Sequence, residues 1–184
     1  MRDHQEPLPW PDPPLRDEAV VLTGFRPADV SVLVATAGDP LIARWTAWPT
    51  RYTEAEALAG LDRRERDRRT GTALCLALRL TSEATLAGGC DLRPLDRAAG
   101  RYEVAYWVAP WARGRSLATR ALRLLSAWAL TELGANRLVA LVQPGNAASL
   151  RTVAAAGFTR HRLLPAHRAR AGRPLDLLEY RLEA

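Results

Sequence analysis

The sequence predicts an α+β fold organised around one mixed, mostly antiparallel sheet. Two observations carry this reading. Apolar runs over 72–80, 84–92 and 101–108 are separated only by Thr81-Ser82-Glu83 and by a loop over 96–100, a spacing that suits an antiparallel meander. A helical pattern over 116–133 then joins 101–108 to the apolar run 137–143, and a strand–helix–strand crossover of that length makes its two strands parallel neighbours.

The remaining elements follow in chain order. Residues 1–18 carry Pro7, Pro9, Pro11, Pro13 and Pro14, which forbid a regular helix or a central strand. They read as an extended N-terminal arm, mobile or laid over the surface, ahead of a single domain over 19–184. Ala19 to Thr23 is a short strand, and Pro27-Ala28-Asp29 opens a helix to about Thr36, since proline suits a first turn. Trp45 and Trp48 fall in a loop or short helix, before a polar helix over 54–69. In the helix over 116–133, Leu117, Ala121, Leu124, Leu125 and Trp128 form the apolar stripe and Gly134 is the natural stop. Pro144-Gly145-Asn146 is a turn whose Asn146 can cap a helix over 147–156, ended by Gly157. A strand from Phe158 and a last strand over 175–182 flank a polar loop, 166–174.

Composition narrows the functional class. At 184 residues, with a hydrophobic share of 48% and a charged share of 25%, the chain suits one soluble domain with a full core. No run of 18 apolar residues exists to span a bilayer, and the polar start lacks the apolar core of a secretory signal. Cys75 and Cys90 sit inside apolar runs, as buried thiols do, so a cytoplasmic protein is expected. The histidines, His4, His161 and His167, are too scattered for a metal site. All 26 basic residues are arginine and the net charge is +6. The densest cluster, Arg63-Arg64-Glu65-Arg66-Asp67-Arg68-Arg69, is interleaved with acids and has no aromatic on which a base could stack, so it reads as a solvated helix face and argues against nucleic acid.

One segment carries chemistry: Tyr106-Trp107-Val108-Ala109-Pro110-Trp111-Ala112-Arg113-Gly114-Arg115-Ser116-Leu117-Ala118. A strand ends at Val108, a tight basic loop follows, and a long helix begins near Ser116. The first turn of a helix has unpaired N–H donors and a positive dipole end, and successive loop donors can add an anion nest. Arg113 and Arg115 add charge where a diphosphate would sit. The plainer alternative is a basic loop that only joins strand to helix.

These residues resemble a known family. Arg113-Gly114-Arg115-Ser116-Leu117-Ala118 matches the pyrophosphate loop Arg/Gln-x-x-Gly-x-Gly/Ala of the GCN5-related N-acetyltransferase (GNAT) superfamily, apart from Ser116 where a central glycine is usual. Glu103-Val104-Ala105-Tyr106-Trp107-Val108 resembles the fourth strand of that fold. Gln143-Pro144-Gly145-Asn146-Ala147-Ala148-Ser149 resembles the Pro-Gly-Asn-x-x-Ser turn of the ribosomal-protein N-terminal acetyltransferases (the RimJ/RimL type), as do Ala156-Gly157-Phe158 and Trp45. The resemblance runs in order over about residues 19–182.

The resemblance implies a three-layer α/β/α fold whose sheet is splayed between its fourth and fifth strands. It implies acetyl-CoA as co-substrate without a metal, held by Trp107, Val108, Arg113, Gly114, Arg115, Ser116, Leu117, Ala118 and Asn146. The activity implied is acetyl transfer to a primary amine, on a protein N-terminus or a small molecule, by direct attack in a ternary complex. Glu103 is the candidate base and Ser149 the donor to the departing sulfur, with the alternatives of a surface ion pair and an ordinary first-turn serine. Tyr106 could line the acyl site or pack in the core, and His161 is an alternative base or a surface residue. The acceptor site is expected from the Trp45/Trp48 region, the second helix and the loop 166–174, and the last strand is compatible with a homodimer. Ser116 keeps an alternative open, a CoA-binding module without turnover.

Overall fold

The computed structural model describes residues 6–49, 51–170 and 172–184. The elements are β1 (Leu15–Arg16), β2 (Val20–Thr23), α1 (Val30–Ala37), α2 (Pro40–Trp45), α3 (Glu54–Arg69), β3 (Leu74–Leu80), β4 (Leu86–Asp96) and β5 (Arg101–Val108). They continue with α4 (Leu117–Thr131), β6 (Arg137–Val142), α5 (Ala147–Ala155), β7 (Thr159–Arg170) and β8 (Arg173–Glu183). One eight-stranded sheet runs in the order β1-β2-β3-β4-β5-β6-β8-β7. Every neighbouring pair is antiparallel except β5 and β6, which are parallel as the crossover through α4 requires.

Helices cover both faces, which gives the expected three layers. On one face α4 and α5 pack on the sheet, and Leu122, Leu125 and Ala121 of α4 lie fully buried with Leu76, Leu92 and Leu138. On the other face α1 and α3 bury Val30, Leu33 and Ala57 against Ala77 and Leu86. Strand β3 touches both layers, and all seven of its residues are buried. That explains a run too continuously apolar to show a period-2 pattern.

A buried charge pair locks α1 to the sheet. Arg79 on β3 donates from Nη1 and Nη2 to the two carboxylate oxygens of Asp29, each at 2.7 Å, and both side chains are 4% exposed. The Thr23 hydroxyl at 2.9 Å and the Gly24 carbonyl at 3.1 Å accept from the same guanidinium. Asp29 Oδ2 also accepts from the Arg26 backbone N–H, so the chain entering α1 is held at the same point.

Two expectations are corrected. Residues 166–170 and 173–174 form no loop but belong to the strands of the long β7–β8 hairpin. Their polar composition fits an edge strand with solvent on its outer side, and Pro165 sits where the register shifts between Leu164 and Arg168, so its missing N–H breaks no ladder bond. Strand β4 runs on to Asp96, past the expected end at Leu92. Of the two alternatives for Trp45, the short helix is the one found: it ends α2, which is capped by Asp39 accepting from the backbone N–H groups of Leu41 and Ile42.

The described part of the arm, from Glu6, lies on the body of the protein. Leu8 is fully buried and exchanges bonds with Arg68 in the last turn of α3, its N–H to the Arg68 carbonyl and its carbonyl from Arg68 Nη1, both at 2.9 Å. Residues 15–16 add a strand to the sheet. Residues 1–5 of the predicted arm lie outside the described residues.

Removing one half of a buried ion pair leaves the other charge uncompensated. Asp29→Ala is therefore expected to destabilise the fold by about 3–5 kcal/mol. The check is the urea midpoint, with an unchanged slope showing that the change acts on the native state.

Candidate active site

The parallel pairing of β5 and β6 covers only Arg101↔Arg137 to Val104↔Ala140. Beyond it β5 continues to Val108 and β6 to Val142, but the two no longer pair. From Ala105 onward the β6-facing edge of β5 therefore offers backbone donors and acceptors to an extended ligand. A cleft of about 930 Å³ opens there, lined by both strands, the loop after β5, the start of α4, α5, α2 and the hairpin.

The loop after β5 ends in a helix start with unpaired backbone N–H groups. A short 3-10 turn, Pro110–Ala112, hands the chain to Arg113, after which Gly114 has φ +77° and Ser116 has φ 55°, ψ 16° at the N-cap of α4. No side chain caps this helix. Among the described residues no protein acceptor meets the backbone N–H groups from Gly114 to Ala118; the first bond at this helix start is Arg120 N–H to the Ser116 carbonyl, at 3.1 Å. The left-handed φ of Gly114 and of Ser116 turns the chain sharply into the helix start, where the helix dipole adds positive potential. A Cβ at Gly114 would meet nothing within 4 Å, so glycine is required there by its φ alone. Ser116 holds the backbone angle of the glycine it replaces, and its side chain is exposed.

The two arginines of the loop differ. Arg113 is tied to the cap of α2, Nη2 to Asp39 Oδ1 at 2.6 Å and Nη1 to Asp39 Oδ2 at 3.2 Å. That hydrogen bond, against a smaller effect of burial, holds the Asp39 carboxyl below its ordinary value. Arg115 is exposed and has no ion-pair partner among the described residues. Trp107 and Val108, at the end of β5, are half-buried, and the Trp107 ring packs on Trp48 with centroids 4.9 Å apart. Gly88 of β4 leaves room at this point, since a Cβ there would come within 2.4 Å of the Trp107 carbonyl.

Across the splay stands the start of α5. Asn146 caps it as expected, Oδ1 accepting from the Ser149 N–H at 3.1 Å. The Ser149 hydroxyl lies 2.6 Å from the Tyr106 hydroxyl, which also donates to the Ser149 carbonyl at 3.1 Å. Tyr106 thus has a polar partner in the cleft wall, and burial raises its phenol above the usual value. Trp45 reaches the preceding turn, its ring 3.6 Å from where a Gly145 Cβ would stand.

On the opposite face of β5, Glu103 is buried and accepts from Arg168 of the hairpin. Odd-numbered residues of β5 share this face, so Glu103 and Ala105 both border the splay. The register places Asp91 beside Ala105 and Arg93 beside Glu103. Asp91 was missed in the sequence because it follows Gly88-Gly89-Cys90 in a run read only as an apolar strand; a lone acid in such a run was the available signal. Desolvation raises its carboxyl, while Asp91 and burial together push the Cys75 thiol well up, so that thiol stays protonated. His161 is exposed on β7 and does not line the cleft. Among the described residues no group of three or more metal-ligating side chains occurs, and no helix is long and apolar enough to cross a membrane.

A mixed sheet splayed beside a helix start with unpaired N–H groups suits an acyl-CoA-dependent transferase, the class to which the comparisons point. The acetyltransferase (GNAT) domain family matches residues 19–159, and the chain belongs to that family. An uncharacterised N-acetyltransferase, p20, of Bacillus licheniformis is 28% identical over 95 residues, 52% of this chain and 53% of the relative, so the match spans about half the length of that relative. Among solved structures, the microcin C7 self-immunity acetyltransferase MccE, in complex with acetyl-CoA and AMP, is similar with a TM-score of 0.82 and 18% identity, covering 91% of this chain and 94% of that one. Mycobacterium smegmatis RimJ, in complex with CoA-disulfide, is similar with a TM-score of 0.80 and 22% identity, covering 90% and 82%.

The left-handed Ser116 is strained by its Cβ. Ser116→Gly is expected to gain about 0.5 kcal/mol, the relief of roughly 1–2 kcal/mol for a left-handed residue less the larger unfolded-state entropy of glycine. Chemical denaturation of the two proteins side by side reads this directly.

Proposed function

We propose that this chain transfers an acetyl group from acetyl-CoA to a primary amine by direct attack in a ternary complex. The observation that carries the reading is the divergence of β5 from β6 between an unpartnered set of N–H donors, Gly114 to Ala118, and the Ser149 hydroxyl. Such a cleft suits a ligand with a diphosphate at one end and an extended amide-bearing arm. In this reading the cradle N–H groups and Arg115 hold the diphosphate, and Arg113 acts through Asp39 to hold the cradle against α2. Trp107, Val108 and the Asn146 side-chain amide bind the arm.

Bound acetyl-CoA supplies an activated acyl carbon and a thiolate leaving group. Glu103 accepts the ammonium proton through a water, giving the neutral amine that can attack the carbonyl carbon. Unpaired backbone N–H groups of β5 stabilise the developing oxyanion. Ser149 gives its hydroxyl proton to the departing sulfur as the carbon–sulfur bond breaks, and regains a proton from the second N–H of the attacking nitrogen through solvent. Tyr106 keeps the Ser149 side chain aimed. We further propose a RimJ/RimL-like placement within the family, an acceptor amine on a protein N-terminus or a small molecule, and one domain over 19–184 preceded by the arm. The turn Pro144-Gly145-Asn146 with Ser149 supports the placement.

Calorimetric titration with acetyl-CoA and with free CoA tests the binding half. Arg115→Ala should weaken both by about tenfold, the loss of one charge-assisted contact. Arg113→Ala should weaken them as well, by leaving Asp39 bare beside the cradle, and adding Asp39→Ala should restore part of the loss. No binding of either ligand would overturn the reading.

The chemical half is read in steady-state kinetics. Ser149→Ala and Glu103→Gln should each lower kcat by about 100-fold, the lower range for proton-transfer groups, with acetyl-CoA affinity unchanged. Unaltered kcat in either variant removes that residue from the mechanism.

A further inference from the structure

The half of the cleft beyond the splay, between the sheet and α3, is arginine-rich. Arg63 and Arg64 of α3, Arg93 of β4, and Arg168 and Arg170 of β7 all line it. The carboxylates facing them are Asp67, Asp91 and Glu103. Two are already matched, Asp91 accepting from Arg93 at 3.0 Å and Glu103 from Arg168. Arg63, Arg64 and Arg170 have no carboxylate partner among the described residues. The Arg64 guanidinium lies 4.6 Å from the Phe25 ring centroid, with Nη1 buried and without a hydrogen-bond acceptor. Among the described residues Arg170 donates only to the Thr46 carbonyl, at 3.4 Å.

Resting on the acetyltransfer reading, we propose that the acceptor is an anionic amine: a primary amine whose flank carries carboxylate or phosphate groups, received by Arg63, Arg64 and Arg170. Two physical consequences of the arginines agree. Guanidinium forks pair bidentately with carboxylate or phosphate, and a concave basic wall concentrates such ligands. The same positive potential disfavours an ammonium that brings no anion of its own. An α-amine, ordinarily near 8, is already partly neutral at physiological pH, whereas a lysine-like amine near 10.4 is not. Polyamines are repelled twice, as cations and as strong bases.

The test is equilibrium binding of acceptors to the CoA-saturated protein, followed by acetylation kinetics. The probes are the peptide amides Ser-Asp-Glu, Ser-Ala-Ala and Ser-Arg-Arg, with O-phosphoserine and spermidine. The acidic peptide should bind about tenfold tighter than the neutral one at low salt, with the margin shrinking as salt is raised, and the basic peptide and spermidine weakest. Preference for Ser-Asp-Glu over O-phosphoserine would indicate a peptide source for the anionic flank, and the reverse a small molecule. In Arg63→Ala/Arg170→Ala the ratio of acidic to neutral affinity should fall towards one, and Arg→Lys at both positions should restore part of it. Equal or better binding of neutral or basic acceptors, a preference that survives the double substitution, or no acceptor binding with CoA bound would each overturn the proposal. Failure of acetyl-CoA itself to bind would sink the acetyltransfer reading instead.

Discussion

The parallel contact between β5 and β6 and its abrupt end organise this molecule. Four residue pairs, down to Val104 and Ala140, fasten the two halves of the sheet. Beyond them the strands part, because β6 goes on pairing with β8 as far as Val142 while β5 stays paired with β4 as far as Val108. Each half-sheet keeps its own ladder and its own twist, so the separation leaves backbone groups unpaired only on the facing edges of β5 and β6. An unpaired edge inside a protein is tolerated where water or a ligand can reach it, which accounts for a cleft at this position rather than more core.

Arginine–carboxylate contacts tie the surrounding elements to that opening. Arg79 with Asp29 fixes the entry to α1, Arg113 with Asp39 joins the loop after β5 to α2, and Arg168 with Glu103 draws the hairpin over the sheet. Their burial differs and so does their expected weight. The first pair is buried and fully hydrogen-bonded, so losing one partner is costly. The third joins a buried carboxylate to an arginine 48% exposed, and there the screening of the cation weakens the attraction. The chain has no lysine, and the planar fork of arginine suits the two-oxygen contacts of the first two pairs.

Much of the fold was legible. The helix over 54–69 and the strand over 101–108 match α3 and β5 at both ends, because each has clear local punctuation: the Thr53 cap with Glu56, and a loop on either side of the strand. The cap at Asn146 and the loop-to-helix junction at Gly114 to Ala118 were equally readable, since turns and helix starts are set by a few adjacent residues. The β7–β8 hairpin was not. Arginine, histidine and proline in 166–174 look like a loop locally, and only the register with β8 and the exposed edge make them strand.

What the sequence alone determined is therefore what neighbouring residues decide: the order of helices and strands, the meander and its crossover, the basic loop that opens the long helix and the family to which they belong. The tertiary structure decided which charges meet. That Arg113 belongs to Asp39 and Arg168 to Glu103, that Tyr106 reaches Ser149, and that Asp91 stands beside the splay all depend on residues 14 to 74 positions apart or on cross-strand register. The physical reason is that a side-chain ion pair or hydrogen bond leaves no periodic trace along the chain. Its partner is chosen by the geometry of the packed sheet, after the local elements have formed.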